Sequence, residues 1–431
     1  MVRAPVQGVE LNQRPAGSRF ASEEENMQMM ISRRALLASA GISLMAARLP
    51  ARAADAPIRI GVINDLSGPY SDIAGKGSIE AVRLAIEDFG KDAPGRPIEV
   101  LTADHQNKTD IGIAIAREWY DAKGVDLIVD VANSAIALGI QTLARERNKL
   151  VIFTSAASSD LTGKYCSPNG LSWGSDNWSN ATALMRLLLQ DKVDSFYFLT
   201  SDYAFGHSLE SDSRAAIEAG GGKTLGSTKV PLNSSDFSSF LLTAQASGAK
   251  AVVLAMTGND LSTALKQATE FGIAPGQHLA TPNTYLSDVH ALGLDVGKNL
   301  TFMQSWYWDL NDKSRAWSKR YFERMSRMPN DNHAALYSAV LHYLGGVKTA
   351  GSNEPAAVLK AMRATPISDM FAAKAVIRDD GRVVYDRYLV RVKNPSESKG
   401  PWDLLHIVSK LDADKAYRPV ADGGCSLVAK K

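Results

Sequence analysis

Cysteine is nearly absent from this 431-residue sequence: Cys166 and Cys425 are the only two. That excludes a disulfide-built miniature scaffold and a thiolate metal cluster. A surplus of one charge sign is also missing, since 48 basic and 46 acidic residues leave a net charge of +2. With the two signs interspersed, no nucleic-acid footprint is expected. Past the N-terminal region, no apolar run approaches the roughly 20 residues that a membrane span needs. The seven histidines (His105, His207, His278, His290, His333, His342 and His406) are scattered without metal-ligand spacing. Neither His-Glu-x-x-His nor Cys-x-x-Cys occurs, so neither a metal nor a cofactor is expected.

What is present is a balanced globular composition, 45% hydrophobic and 22% charged, in a chain long enough for two ordinary domains. The N-terminal stretch "ISRRALLASAGISLMAARLPARAADAP" sets Arg33 and Arg34 ahead of an apolar run from Ala35 to Ala47. Ala51-Arg52-Ala53 then supplies a small-x-small cleavage pattern. Residues 1–53 are expected to be a polar leader and a twin-arginine-like export signal, with export by the twin-arginine or Sec route and the mature chain beginning near Ala54 in the periplasm. A short membrane anchor is the alternative reading. In an oxidising compartment the two cysteines are most simply a disulfide, and two buried free thiols are the alternative.

From residue 58 onward, short apolar runs alternate with helical patterns: "IRIGVI", "SIEAVRLAIEDF", "IEVLTAD", "TDIGIAIAREWYDA", "VDLIVDVA", "IALGIQTLARERN" and "KLVIFTSA". The same alternation restarts at "SFYFLTSD" and runs through "KAVVLAMT" to "HLATPN". Continuous apolar strands between amphipathic helices mean parallel sheets covered on both faces, and so an α/β chain with two doubly wound Rossmann-like lobes. After Asn299 the pattern changes to aromatic-rich and helical segments, and "AKAVIRDDGRVVYDRYLVRVKN" reads as a hairpin turning at Asp380-Gly381.

The glycine-rich stretch "GPYSDIAGKGSIE" between a strand and a helix raises the question of a phosphate site. Six residues separate Gly68 from Gly75, Lys76 is followed by Gly77, and Glu80 stands where a dinucleotide fingerprint needs its third glycine. A phosphate cradle is therefore not expected. What does recur at the C-terminal ends of the strands, where open α/β sheets bind ligands, is small, polar or aromatic. In the first half these are Ser67 to Ala74, Asn133-Ser134 and Ser155 to Ser159. In the second half they are Asp202 to Phe205, Met256-Thr257-Gly258 and Pro282-Asn283-Thr284. Facing one another across a cleft, these sets would converge. Hydroxyls and N–H groups of "SAASS" and Ser134 suit a carboxylate, and Trp173, Tyr203, Phe205, Trp306 and Trp308 are candidates to wall a flat ligand; core packing is the plainer reading for each aromatic alone.

With these residues in view, the chain resembles the periplasmic substrate-binding proteins of ABC importers, in the branch of the leucine/isoleucine/valine-binding protein. The resemblance rests on "IRIGVINDLSGPYSDIAGKGSIEAVRLAIEDFG", "VDLIVDVANSAIALGIQTLARERNKLVIFTSAASSDLTG", "FYFLTSDYAFGHSLESDSRAAIEAGG" and "SSDFSSFLLTAQASGAKAVVLA". It implies a bilobed clamp with three hinge crossings, a first lobe at 57–173 plus 306–372 and a second at 174–305 plus 373–431. It also implies a monomer that closes on a small molecule and hands it to a permease with its ATPase subunits. Carried over by position, Ser134, the backbone of Ala156 and the Ser158 hydroxyl would grip a carboxylate beside Asn133. Tyr70, Ser71, Asp72 and Ile73 would cover that end. Trp173, Tyr203, Phe205, Thr257 and Asn283 complete the expected site. Amino-acid binders of this family place an acid in the loop that here reads "TPNTY", and this chain has Asn283 instead, with Asp288 five residues on as a possible substitute. An ammonium buried without a carboxylate is costly, so an aromatic or related organic acid is the expected ligand. The stretches "SGPYSDIAG" and "GKYCSPNGLSW" are similar to members tied to aromatic-acid uptake. Branched-chain or other amino acids, amides, a freestanding sensing module and an α/β enzyme are the alternatives.

Overall fold

The computed structural model describes residues 56–90, 95–273 and 276–428; the leader and signal expected at 1–53 lie outside the described residues. Strands β1 (Ile58–Asn64), β2 (Ile98–Asp104), β3 (Leu127–Asp130), β4 (Leu150–Phe153) and β5 (Gly170–Ser172) form one parallel sheet in the order β2-β1-β3-β4-β5. Helices α1 (Gly75–Phe89), α2 (Thr109–Asp121) and α3 (Ser134–Glu146) are the crossovers, and α4 (Asn177–Gln190) leads away from this sheet. A second parallel sheet, β7-β6-β8-β9, joins β6 (Ser195–Ser201), β7 (Lys223–Val230), β8 (Ala251–Ala255) and β9 (His278–Ala280). Its crossovers are α5 (Ala204–Ala219), α6 (Ser238–Ala246) and α7 (Gly258–Glu270). The centres of both sheets are apolar on both faces, as in Leu127–Asp130 and Ala251–Ala255, where every residue is buried. Such strands need helices on each side, which is why the expected doubly wound α/β lobes result.

The remainder is less regular. Short helices α8 (Leu286–Leu292) and α9 (Leu294–Gly297) precede strand β10 (Thr301–Gln304). Helices α10 (Asp312–Met325), α11 (Asp331–Ala350) and α12 (Pro355–Ala364) return to pack beside the first sheet. Helix α11 is buried over most of its circumference, and its partner α1 approaches closely because Gly77 lacks a side chain. A Cβ on Gly77 would sit 2.2 Å from the Tyr321 hydroxyl and 2.6 Å from His333 Nε2. Gly77, in the first turn of α1, therefore serves close helix packing.

The expected Asp-Gly turn is present in the pair β11 (Val376–Ile377) and β12 (Val383–Val384), with Gly381 at φ +84°. This hairpin stays with the first core: Arg382 bridges to Ser172, and Ala375, Val383, Tyr385, Ala416 and Tyr417 share a cluster with Ile60, Trp173 and Trp306. Part of the 373–431 segment expected with the second lobe thus packs against the first. Strands β13 (Arg387–Val392) and β14 (Leu405–Leu411) then complete a three-stranded antiparallel sheet with β10, and α13 (Ala413–Ala416) begins the tail. Three chain segments pass between the lobes, and the Tyr385 hydroxyl ties them: it lies 2.9 Å from Trp173 O, 3.0 Å from Gly174 O and 3.3 Å from Ser305 Oγ. Buried Arg382 adds a hydrogen bond from its guanidinium to Ser175 O, at 3.1 Å. Cys166 and Cys425 are joined in a disulfide that fastens the tail to the loop between β4 and β5.

Candidate functional site

The strand ends of the two parallel sheets face one another, and the lobes touch. Tyr70 and Tyr203 hydroxyls lie 2.6 Å apart across the gap, and the Asn259 N–H donates to Pro69 O at 3.1 Å. Gly258, at φ +66°, permits this approach, because a Cβ there would lie 2.5 Å from Pro69 O. Between the lobes is a small, partly open cavity of about 20 Å³. The first lobe lines it with Tyr70, Ile73, Ala132, Ser134, Ser155 and Ala156, and the second with Tyr203, Phe205, Thr257, Asn283 and Tyr285. None of these eleven side chains is an acid, a lysine, an arginine, a histidine or a cysteine.

Ser134 is the first residue of α3, whose N-cap is Asn133; the Asn133 Oδ1 accepts from Ala135 N at 2.9 Å and Ile136 N at 3.2 Å. The Ser134 hydroxyl oxygen accepts the Ser158 N–H at 3.4 Å, which leaves its hydrogen free to donate into the cavity. Among the described residues the Ala156 N–H has no hydrogen-bond acceptor. A helix N-terminus, a hydroxyl and a free amide thus occupy one wall, a combination that favours an anion.

Behind this wall lies Asp130, a fully buried carboxylate that accepts from Asn64 Nδ2 at 3.0 Å, Thr154 Oγ1 at 2.9 Å and the Ser155 hydroxyl. Because Ser155 is committed to Asp130, it borders the cavity without a free hydrogen. Asp130 and Val131 have φ of +77° and +60°. A β-branched residue in that region is strained, and the strain sits directly before Ala132 at the cavity.

On the opposite wall the Asn283 Oδ1 accepts from Ser175 Oγ at 3.2 Å and Asn180 Nδ2 at 3.1 Å, so the amide presents its NH₂ as a donor. The Thr257 hydroxyl is buried beside the Asp288 carboxylate. Asp288 does not supply a charge here. It does not line the cavity, and its carboxylate accepts the Tyr285 N–H at 2.9 Å, capping α8. Burial pushes its pKa up to about 7.

The structure brings together Tyr70, Ile73, Ser134, Ala156, Tyr203, Phe205, Thr257 and Asn283 of the expected set. It places five others elsewhere. Ser71 N donates to Gly68 O within the loop, and Asp72 pairs with Arg327 at 2.8 Å. Asn133 is spent on its cap, and Ser158 caps a 3-10 turn at Ser159–Thr162. Trp173 is buried in the first core, with Nε1 donating to Ser338 Oγ at 3.2 Å. Trp306 donates to Met370 O and Trp308 to Trp402 O, so neither walls the cavity. Ala132 and Tyr285 line the cavity without belonging to the expected site, and Ser155, expected only as part of "SAASS", lines it too. Tyr285 ends the "TPNTY" loop and Ser155 opens "SAASS", so both carried a positional signal; Ala132 carried none.

Gly170-Leu171-Ser172-Trp173-Gly174 has the spelling of a hydrolase nucleophile turn. Ser172 instead ends β5, is buried, and its hydroxyl has no partner, so no base activates it.

Fold and cleft define a bilobed binding protein, and comparison with known proteins agrees. The chain belongs to the periplasmic binding protein family, whose sequence model matches residues 57–401. It is similar to a crystallised periplasmic binding protein of Burkholderia mallei, at 42% identity and TM-score 0.85, covering 86% of this chain and 99% of that one. A branched-chain amino-acid ABC transporter periplasmic ligand-binding protein of Burkholderia xenovorans LB400 is 37% identical, with TM-score 0.75 and the same coverage of each chain. A "Leu/Ile/Val-binding protein homolog 6" of Brucella suis biovar 1 is 28% identical over 242 residues, 55% of this chain and 61% of the relative's length. The chain thus spans about three fifths of that curated relative. Among the described residues, no helix is long and apolar enough to cross a membrane.

Proposed function

We propose that the protein is a periplasmic solute receptor of an ABC importer, and that its ligand is a small organic acid with one carboxylate and a flat, aromatic body. The observation that carries this reading is an inter-lobe cavity lined by hydrogen-bond donors and aromatic rings and free of charged side chains. Ser134 Oγ–H at the start of α3 and the Ala156 N–H in the loop after β4 hold the carboxylate. Tyr70, Tyr203, Phe205 and Tyr285 flank the body. The Asn283 amide and Thr257 hydroxyl meet whatever polar group the far end carries. A zwitterion would leave its ammonium without a counter-charge, a cost of several kcal/mol in a buried site. With no nucleophile and base at the cavity, the chemistry is capture and release: closure shifts an open–closed equilibrium, and the closed, monomeric form docks on a permease with its ATPase subunits.

Branched-chain amino acids are the second reading, favoured by the likeness to the 37% identical branched-chain amino-acid ABC transporter protein of Burkholderia xenovorans. A thermal-stability screen of the mature domain decides between them, using benzoate, cinnamate, leucine, a dicarboxylate and an amide. A ligand at a hundred times its Kd adds about 2.7 kcal/mol of stability. A shift with benzoate or cinnamate and none with leucine is the expected result. A shift with leucine alone would overturn the acid assignment while keeping the receptor.

A further inference from the structure

Outside the cavity, the lobes meet a second time. The 3-10 turn Ser159–Thr162 continues directly from the Ser155-Ala156 stretch that borders the cavity, and its Leu161 packs in the first lobe's core. Opposite it stands α5 of the second lobe, which begins at the cavity with Tyr203 and Phe205. One to two helical turns further along, the Ser159 N–H donates to Ser208 Oγ at 3.1 Å and Ser159 Oγ donates to Asp212 Oδ2 at 2.7 Å. Ser208 in turn lies 3.4 Å from the same carboxylate oxygen. Asp212 has no basic partner on its own helix face. Around it are Asp176 at the N-cap of α4, Asp160 in the Ser159 turn, and Arg418 of the tail, whose guanidinium is engaged with Ser159 O at 2.9 Å. Two acids and one shared arginine make a poor setting for an ionised carboxylate. Burial first, then Asp176 and Asp160, push the Asp212 pKa up to about 7, against the opposing pull of the Ser159 hydrogen bond and Arg418.

We infer that Ser159 and Asp212 form a proton-linked latch between the lobes, so that the receptor takes up a proton at Asp212 as it closes. When the lobes part, α5 loses its cover and Asp212 returns to the carboxylate range of an exposed residue. The closed form then binds the proton more tightly than the open form, and by linkage a fall in pH favours closure. Because the Ser159 turn and the carboxylate-gripping backbone are one continuous stretch, the latch also fixes the geometry of the ligand wall. Ser159 and Asp212 are positioning residues that do not line the ligand cavity. The inference rests on the clamp reading above, and its test needs no ligand.

Spin labels at Lys123→Cys and Lys223→Cys, exposed positions on the two lobes of the disulfide-intact protein, report the closed-to-open ratio from their distance distribution. In the ligand-free parent this ratio is expected to fall about tenfold between pH 6 and pH 8, from the gap between an ordinary Asp and the closed-state value. Asp212→Asn, which keeps the shape but cannot ionise, should hold the same ratio at both pH values. Ser159→Ala should lower the closed fraction while retaining the pH slope. Melting curves of each variant confirm that it is folded. A parent and an Asp212→Asn variant with the same pH profile would overturn the latch, whichever compound the thermal screen selects. A titrating latch with no stabilising solute in that screen would instead count against the acid-receptor assignment alone.

Discussion

The two walls of the cleft are built from different materials. The first-lobe wall gathers the small polar groups, Ser134 on a helix N-terminus, Ser155 held by Asp130 and the Ala156 N–H, with Tyr70 and Ile73 beside them. The second-lobe wall is large and aromatic, with Tyr203, Phe205 and Tyr285, and its polar groups are the neutral amide of Asn283 and the hydroxyl of Thr257. The first wall rests on a rigid apparatus, with a strained backbone at Asp130-Val131 and the disulfide fastening its loop to the tail. Orienting one anionic group needs fixed donors, whereas accepting a flat body needs surface and little else. On the proposed reading, charge recognition would fall mainly to the first lobe and shape mainly to the second.

The largest expected break in this contrast is Asn283→Asp. Asn283 Oδ1 already accepts two hydrogen bonds, so the new side chain keeps them and turns its free donor into a second anionic oxygen. Calorimetric titration should show a carboxylate ligand weakened by about 3 kcal/mol or more, and leucine gaining affinity at its expense. An unchanged preference would remove this loop from the ligand. Ser134→Ala probes the other wall; loss of a hydrogen bond to a charged group should cost about 1.5–3 kcal/mol in binding, and equal affinity would move the carboxylate elsewhere.

Asp288 sharpens the comparison through stability, since it supports the second wall from behind. Its folded-state pKa of about 7 lies above the ordinary carboxylate value, so the folded protein holds a proton that the unfolded chain releases. The stability this contributes is fully present below about pH 4 and is lost as pH rises through 7. Between pH 6 and pH 8 the loss is about 1 kcal/mol for this one group, and Asp288→Asn should flatten the melting-temperature profile by that amount. The smallest effect is expected from Tyr203→Phe. It removes the 2.6 Å bond to Tyr70 that joins the walls while keeping the ring, and should weaken ligand binding by about 1 kcal/mol.

Much of this architecture was legible in the residues. Alternating apolar strands and amphipathic helices foretold both parallel sheets, because a strand buried on both faces must be apolar throughout. The cavity lies where strand ends were expected to converge, and eight of the expected side chains border it. Those placed elsewhere share a cause. Asn133, Ser158 and Trp173 stand at the right points along the chain, yet their side chains turn to a cap, a 3-10 turn and the core. Asp72 turns outward to Arg327, a partner 255 residues away. Periodicity reports which face of an element is buried, but not which way a loop side chain turns.

The sequence by itself determined the class of fold, the order of its elements, the family and the absence of an acid in the "TPNTY" loop, for these follow from local pattern and identity. Only the tertiary structure decided that the Asp288 carboxylate is consumed by the Tyr285 N–H, that Cys166 meets Cys425 across 259 residues, and that Ser159 reaches Asp212. Each of these pairings is a competition for hydrogen bonds or space between segments far apart in the chain, and its winner exists only once the lobes have packed.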